Sequence, residues 1–238
     1  MEATYNLKAI ILNRKPFREA DTAVTLYSLE QGKIELVARG AKKIRSKMAG
    51  HLEPMCYSEV MVIRGRKLDY AGGAASINCF SQIKSDLVKI TSAGKGIKVF
   101  NSLIKDKEKD EATFNLLLSF LNILDEKVLA RESELFLNFF ILKLLVNSGY
   151  KPELYNCVIC NNKITPHDNL IDIEKGGLVC AKCKSAASLH RMPISENGIK
   201  LLRMIIDNTL YEMLKVKTGD SLKKEISIII SSFLKFHL

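Results

Sequence analysis

The sequence predicts an α+β fold: an N-terminal OB-fold β-barrel followed by an α-helical domain with an inserted four-Cys zinc ribbon. Three observations lead there. Residues 1–80 alternate short runs of β-branched and aromatic residues with Gly-containing turns, and after about residue 81 apolar residues recur at three- and four-residue intervals. Two Cys-x-x-Cys pairs, Cys157/Cys160 and Cys180/Cys183, stand with 19 residues between them. The expected domains are 1–80 and 81–238, with the ribbon at about 153–186.

The strands come first. "YNLKAIIL" (5–12), "AVTLYSLE" (23–30), "KIELVA" (33–38) and "YSEVMVIR" (57–64) each suit a half-buried strand. Gln31-Gly32 predicts a tight hairpin, with Gly32 taking the left-handed conformation, and Gly65 is expected to play a similar part. Gly72-Gly73 predicts a bulge or corner in a fifth strand, and five such strands suit a small closed barrel. Tyr27 and Tyr57 are expected to pack inward, while Phe17 is either a barrel plug or an exposed ring.

Helices are predicted over 85–105, 112–127 and 131–150, with "KDKEKDE" (105–111) as a solvated connection. Glu132 and Glu134 complement the dipole of the third, Gly149 stands at its C-terminal cap, and Pro152 blocks its continuation. Two more helices are expected near 196–215, after Ser195, and near 221–236, after Asp220.

The cysteine pairs read as a structural metal site, because a tetrahedral zinc takes four soft ligands and each knuckle supplies two. Asn161 and Gly176-Gly177 lie where knuckle and hairpin backbones turn, and Lys182 and Lys184 offset thiolate charge. A rubredoxin-like iron is the alternative ion; a redox dithiol lacks the βαβ surroundings it needs. Four protein ligands close the site to substrate, so the metal is a staple. His167 is expected in an exposed loop, and Cys56 and Cys79 as small buried hydrophobes.

The net charge of +10 favours polyanionic partners, and residues 1–80 hold 13 basic against 8 acidic residues. "RGAKKIRSK" places Arg39, Lys42, Lys43, Arg45 and Lys47 within nine residues without an acid. "NRKPFR" gathers Arg14, Lys15 and Arg18 around Phe17, and "RGRK" gathers Arg64, Arg66 and Lys67. Cations on barrel loops with aromatic neighbours suit a single-stranded nucleic-acid groove, in which charges track phosphates and rings stack bases. There is no phosphate-loop, zinc-protease or nucleophile-elbow motif, so the chain is read as a binder and not an enzyme. The rival reading is a zinc-stapled protein–protein adaptor with incidental basic loops. Glu2 and the lack of a basic n-region argue against a secretory signal, and no apolar run reaches 18 residues. The expectation is a cytoplasmic protein, nucleoid-associated when on DNA, with no membrane span.

Together, "RKPFREADTAVTLYSLEQGKIELVARGAKKIRSKMAGHLEP", "FFILKLLVNSGYKPELYNCVIC" and "GGLVCAKC" resemble the bacterial RecO family of recombination mediators over nearly the whole chain. The resemblance implies binding of single- and double-stranded DNA and ATP-independent annealing of complementary strands. It further implies partnership with RecR, loading of recombinase on protein-coated single strands, and binding of the C-terminal tail of single-stranded-DNA-binding protein. The basic barrel surface would fall on Arg14, Arg18, Arg39, Lys42, Lys43 and Arg45. Lys200, Leu201, Arg203 and Met204 are the candidate tail-binding residues, although an ordinary amphipathic helix would carry the same pattern.

Overall fold

The protein, as a computed structural model described over residues 4–127, 133–185 and 189–238, divides into two compact units, 1–128 and 129–238. The first unit is built on five strands, β1 (Thr4–Pro16), β2 (Thr22–Ser28), β3 (Gly32–Ala38), β4 (Tyr57–Ile63) and β5 (Tyr70–Asn78). They close into a barrel in the order β1-β2-β3-β5-β4. Closure depends on the length of β1. Its first half pairs with β4, from Thr4↔Ile63 to Ile10↔Tyr57, and its second half with β2, from Ala9↔Ser28 to Pro16↔Thr22. A bulge between Ile11 and Asn13 lets one strand turn between two partners.

Gly32 and Gly72 are where the chain needs them, whereas Gly65 does not take the expected left-handed conformation; glycine is required there because the Leu68 carbonyl lies where a Cβ would stand. Gly32 has φ +68°, and a Cβ there would also run into the backbone of Glu108. Gly72 is the extra residue of a second bulge, because Met61 pairs with Gly73 while Val62 pairs with Ala71. Leu7, Ile11, Val24, Leu26, Leu36, Val60 and Val62 fill the barrel. Phe17 is no plug; it stands 41% exposed.

Tyr27 departs from expectation. It is buried, but on the opposite face of β2 from the barrel-filling Val24 and Leu26. There its ring meets Phe100 at 4.9 Å, and its hydroxyl donates to Asp110 O at 3.3 Å and accepts from Asp110 N at 3.1 Å. Tyr57 likewise meets Phe114, at 6.0 Å. The first unit has three helices, α1 (Ser81–Ser85), α2 (Leu87–Leu103) and α3 (Glu111–Glu126), and these rings meet α2 and α3. The helix expected over 85–105 is α2, which begins where extended Asp86 caps it by accepting from Val88 N and Lys89 N; the short α1 ahead of it was not expected.

Cys56 and Cys79 also differ from expectation: they form a disulfide. Tyr57 pairs with Asn78, so the next residues outward face each other across the ends of β4 and β5. Knuckle spacing cannot reveal a pair that is 23 residues apart in sequence.

In the second unit α4 (Ser133–Asn147) is buried on every side through its middle, from Leu135 to Leu142. Glu132 and the first residues of the predicted helix lie outside the described residues. Gly149 closes α4 as expected, with φ +89° and Tyr150 N donating to Leu145 O at 2.9 Å. The cysteine segment then forms a sheet of β6 (Leu170–Asp172), β7 (Gly177–Val179) and β8 (Arg191–Pro193), in the order β7-β6-β8. The helix expected over 196–215 is α5 (Glu196–Asp207) and α6 (Leu210–Met213), separated by extended Asn208 and a Thr209/Glu212 capping box. The last helix, α7 (Asp220–His237), has Asp220 inside its first turn rather than before it. Among the described residues no helix is long and apolar enough to cross a membrane.

Candidate nucleic-acid interface and metal centre

The strand register brings the three basic clusters to one pole of the barrel. Pro16 pairs with Thr22 and Thr22 with Ala38, so the β1–β2 loop lies beside the chain leaving β3. Val37 and Ile63 both pair with Tyr70, which adds the β4–β5 loop to the same end.

Backbone tethers fix these loops. Lys42 N donates to Ala20 O at 3.0 Å, and Gly40 N donates to Asp21 Oδ1 at 2.9 Å. Val37 N donates to Asp69 O at 2.9 Å, and Gly65 N to Asp69 Oδ1 at 3.2 Å. Asp21 and Asp69 thus spend their carboxylates on loop backbone, while Glu19 remains an exposed acid in the first loop.

The eleven basic residues of the three clusters divide into two groups. Some brace the pole: Arg14 Nη1 donates to Ala49 O at 3.1 Å. Arg39 lies 3.8 Å over the Tyr70 ring, Arg64 5.3 Å over Tyr5 and Arg18 5.3 Å over Phe17. Lys42 Nζ donates to the Arg18 carbonyl at 2.7 Å. Lys15, Lys43, Arg45, Lys47, Arg66 and Lys67 stand exposed, as do the bracing Arg18, Arg39, Lys42 and Arg64 apart from the contacts just described. Tyr5 and Tyr70, which carry two of the guanidinium groups, were not singled out. Their role follows from register, and the only local signal was Tyr70 beside "RGRKLD".

The four ribbon cysteines converge as their spacing predicts. Their sulfurs all lie within 4.8 Å of one another, and Cys160 Sγ is 3.8 Å from Cys180 Sγ. Ligands at ~2.3 Å in a tetrahedron stand about 3.8 Å apart, so the donor set fits a tetrahedral thiolate metal. Asn161 takes the left-handed conformation, φ +59°, that the first knuckle needs, and its N–H donates to Cys157 O at 2.8 Å. The second knuckle instead closes through Cys183 N donating to Cys180 O at 3.0 Å, with Lys184 in ordinary helical geometry.

The site's electrostatics favour a cation. Burial opposes ionisation of Cys157, but the N–H groups of Cys160, Cys180 and Ile159 and the Cys160 thiol outweigh it and hold its pKa at about 6. Cys183, hydrogen-bonded to the Cys160 sulfur and set among the other thiols, is pushed up to about 12. One thiolate forms readily and makes the next costly, a conflict that a divalent ion resolves. His167 is exposed and stands 3.0 Å from Glu196 Oε1, outside the donor set.

Around the centre, Arg191 Nε donates to Asp172 Oδ2 at 2.8 Å, and its Nη1 to Cys183 O at 3.3 Å. This ties β6 and β8 to the second knuckle. Burial would raise the Asp172 carboxyl, but the Arg191 guanidinium and the Lys175 N–H hold it below its ordinary value.

The candidate partner residues on α5 do not form one surface. Leu201 is buried in the core, which corrects its expected exposure. Arg203 is committed to the chain ahead of the first knuckle: its Nε donates to Leu154 O at 3.0 Å, its Nη2 reaches the same oxygen, and its guanidinium lies 4.4 Å over Tyr155. Lys200 and Met204 remain exposed. Lys200 and Arg203 border a small cleft with Ile164, Pro166 and Ile199.

Comparison with known proteins bears on both sites. Residues 1–80 match the family model for the Recombination protein O N terminal region, and residues 84–238 the model for its C terminal region. The DNA repair protein RecO of Dehalococcoides mccartyi (strain CBDB1) is 33% identical over 234 residues, covering 98% of this chain and 90% of that protein. Those of Desulforamulus reducens and Thermoanaerobacter sp. are 31% and 27% identical over 98% and 97% of the chain, covering 90% and 91% of those proteins.

Proposed function

The chain belongs to the RecO family of DNA repair and recombination proteins, and from that premise we propose that it binds single- and double-stranded DNA at the barrel pole and anneals complementary strands without ATP. The observation that carries this reading is the convergence of three basic loops on the β1–β2, β3–β4 and β4–β5 connections of one OB-type barrel. Loops of this kind flank the nucleic-acid face of such barrels. Lys15, Lys43, Arg45, Lys47 and Arg66 contact phosphates, while Arg14, Arg18, Arg39, Lys42 and Arg64 hold the loops that present them and add to the field.

Annealing needs no nucleophile. Two strands repel through their phosphates; a cationic surface that takes both relieves the repulsion and raises their local concentration. The four cysteines hold one structural zinc, which supplies cross-linking of the ribbon and leaves no open ligand position. RecR and the C-terminal tail of single-stranded-DNA-binding protein are the protein partners in this reading, and with RecR the protein helps load recombinase on coated strands. Lys200 and Arg203, beside the apolar wall of Ile164, Pro166 and Ile199, supply the charge an acidic tail requires.

The test is annealing of two complementary oligonucleotides without nucleotide, by the wild-type protein and by Lys43→Ala/Arg45→Ala/Lys47→Ala. The expected result is acceleration that fades with salt and with the triple substitution. No acceleration by folded, zinc-loaded protein at low salt would overturn the annealing reading.

A further inference from the structure

Ile44 leaves its entire side chain in solvent, at 105% relative exposure, in the middle of the basic loop. Burying an isoleucine removes apolar area from water and is favourable, so full exposure forgoes that gain. The loop is built to present it. Ser46 N donates to Lys43 O at 2.9 Å, which makes residues 43–46 a hydrogen-bonded turn with Ile44 and Arg45 at its apex. Lys43 N donates to Gly40 O at 3.0 Å, and the Lys42 tethers hold the stem. Lys43 and Arg45 flank the side chain, and Lys42 and Lys47 lie just beyond.

The surroundings indicate what covers it. Leu87 is comparably bare, at 81%, but follows the carboxylate of Asp86 at the start of α2 and has no cationic neighbours on both sides. An apolar tip between two cations fits a ligand with an anionic rail and an apolar interior. Nucleic acid and an anionic bilayer both answer to that. A bilayer anchor needs a broad apolar face, whereas a single branched side chain suits the gap between two bases.

Resting on the nucleic-acid reading above, we propose that Ile44 is a wedge that enters between neighbouring bases of a single strand whose flanking phosphates are held by Lys43 and Arg45. Because the turn is already hydrogen-bonded, insertion orders little protein.

The full-length protein is titrated into a single-stranded oligonucleotide carrying one 2-aminopurine among adenines, whose fluorescence rises when it unstacks. Wild-type protein at saturation is expected to brighten the probe roughly two- to fourfold, as unstacking by an apolar wedge requires. Ile44→Ala should lose most of that rise while Kd changes by less than about threefold, because phosphate contacts dominate affinity. Ile44→Phe should restore the rise, and Leu87→Ala should leave it unchanged.

Equal brightening by wild type and Ile44→Ala overturns the wedge, as does binding without brightening by the wild type; the nucleic-acid reading survives both. Failure of the wild type to bind the strand overturns both readings. A parallel titration with anionic phospholipid vesicles separates the bilayer: loss of vesicle binding in Ile44→Ala with brightening intact transfers the residue to a membrane role.

Discussion

The ribbon and the barrel pole solve opposite problems. At the four-cysteine centre the side chains point inward, to sulfurs within 4.8 Å of one another, and the backbone wraps around them. At the pole the backbones are tied together, by Lys42 N to Ala20 O and Gly40 N to Asp21 Oδ1, while Lys43, Ile44, Arg45 and Lys47 are turned out to water. A structural site closes on itself; a binding surface fixes its frame and leaves its contacts unspent. Even the arginines follow this division. Arg191 and Arg203 are spent on carbonyls and a carboxylate of the second unit. At the pole Arg39 and Arg64 lie against tyrosine rings.

The largest way to break the contrast is to open the ribbon. Cys157→Ser replaces a soft, low-pKa ligand with a hydroxyl, and a structural zinc contributes its binding energy directly to folding. Zinc content is expected to fall from one per chain toward zero, with 153–185 becoming sensitive to limited proteolysis. Elemental analysis and peptide mapping read both; full zinc retention by the variant would remove the staple from the account.

A smaller effect comes from the ion pair behind the second knuckle. Asp172→Ala leaves the Arg191 guanidinium in its buried place without the carboxylate, and removing one partner of such a pair costs about 3–5 kcal/mol. The pH sign follows from the direction of the shift. The folded carboxyl lies below its unfolded value of about 3.9, so the stabilisation is complete above that value and is lost as pH falls through the folded pKa. Denaturant melts between pH 7 and 3 should therefore show acid destabilisation of wild type that is reduced in Asp172→Ala. A pH response unchanged by the substitution would contradict that assignment.

How far each region was legible in sequence follows from the range of the interactions that build it. The four-cysteine cluster was legible because two residues between cysteines suffice to set a knuckle, and Asn161 and Gly149 because left-handed backbone restricts residue type locally. The Gly72 bulge was legible for the same reason. Pairings set by register were not: the Cys56–Cys79 disulfide, the braces from Arg39 to Tyr70 and Arg64 to Tyr5, and the turn of Tyr27 toward Phe100. Periodicity says that Leu201 and Lys200 share an amphipathic helix, but only packing decides that Leu201 is the buried one. The basic residues follow from count, and which of them brace the loops required the loops to be placed.

The most direct test of the pole as a polyanion surface is the salt dependence of single-stranded DNA affinity, for wild type and for Lys43→Ala/Arg45→Ala/Lys47→Ala. Each lost phosphate contact on a single strand lowers the slope of log K against log salt by about 0.7, so the triple variant should bind with a slope shallower by about 2 and an unchanged melting temperature. Equal slopes for the two proteins would show that these cations release no counterions and would contradict the assignment of the pole.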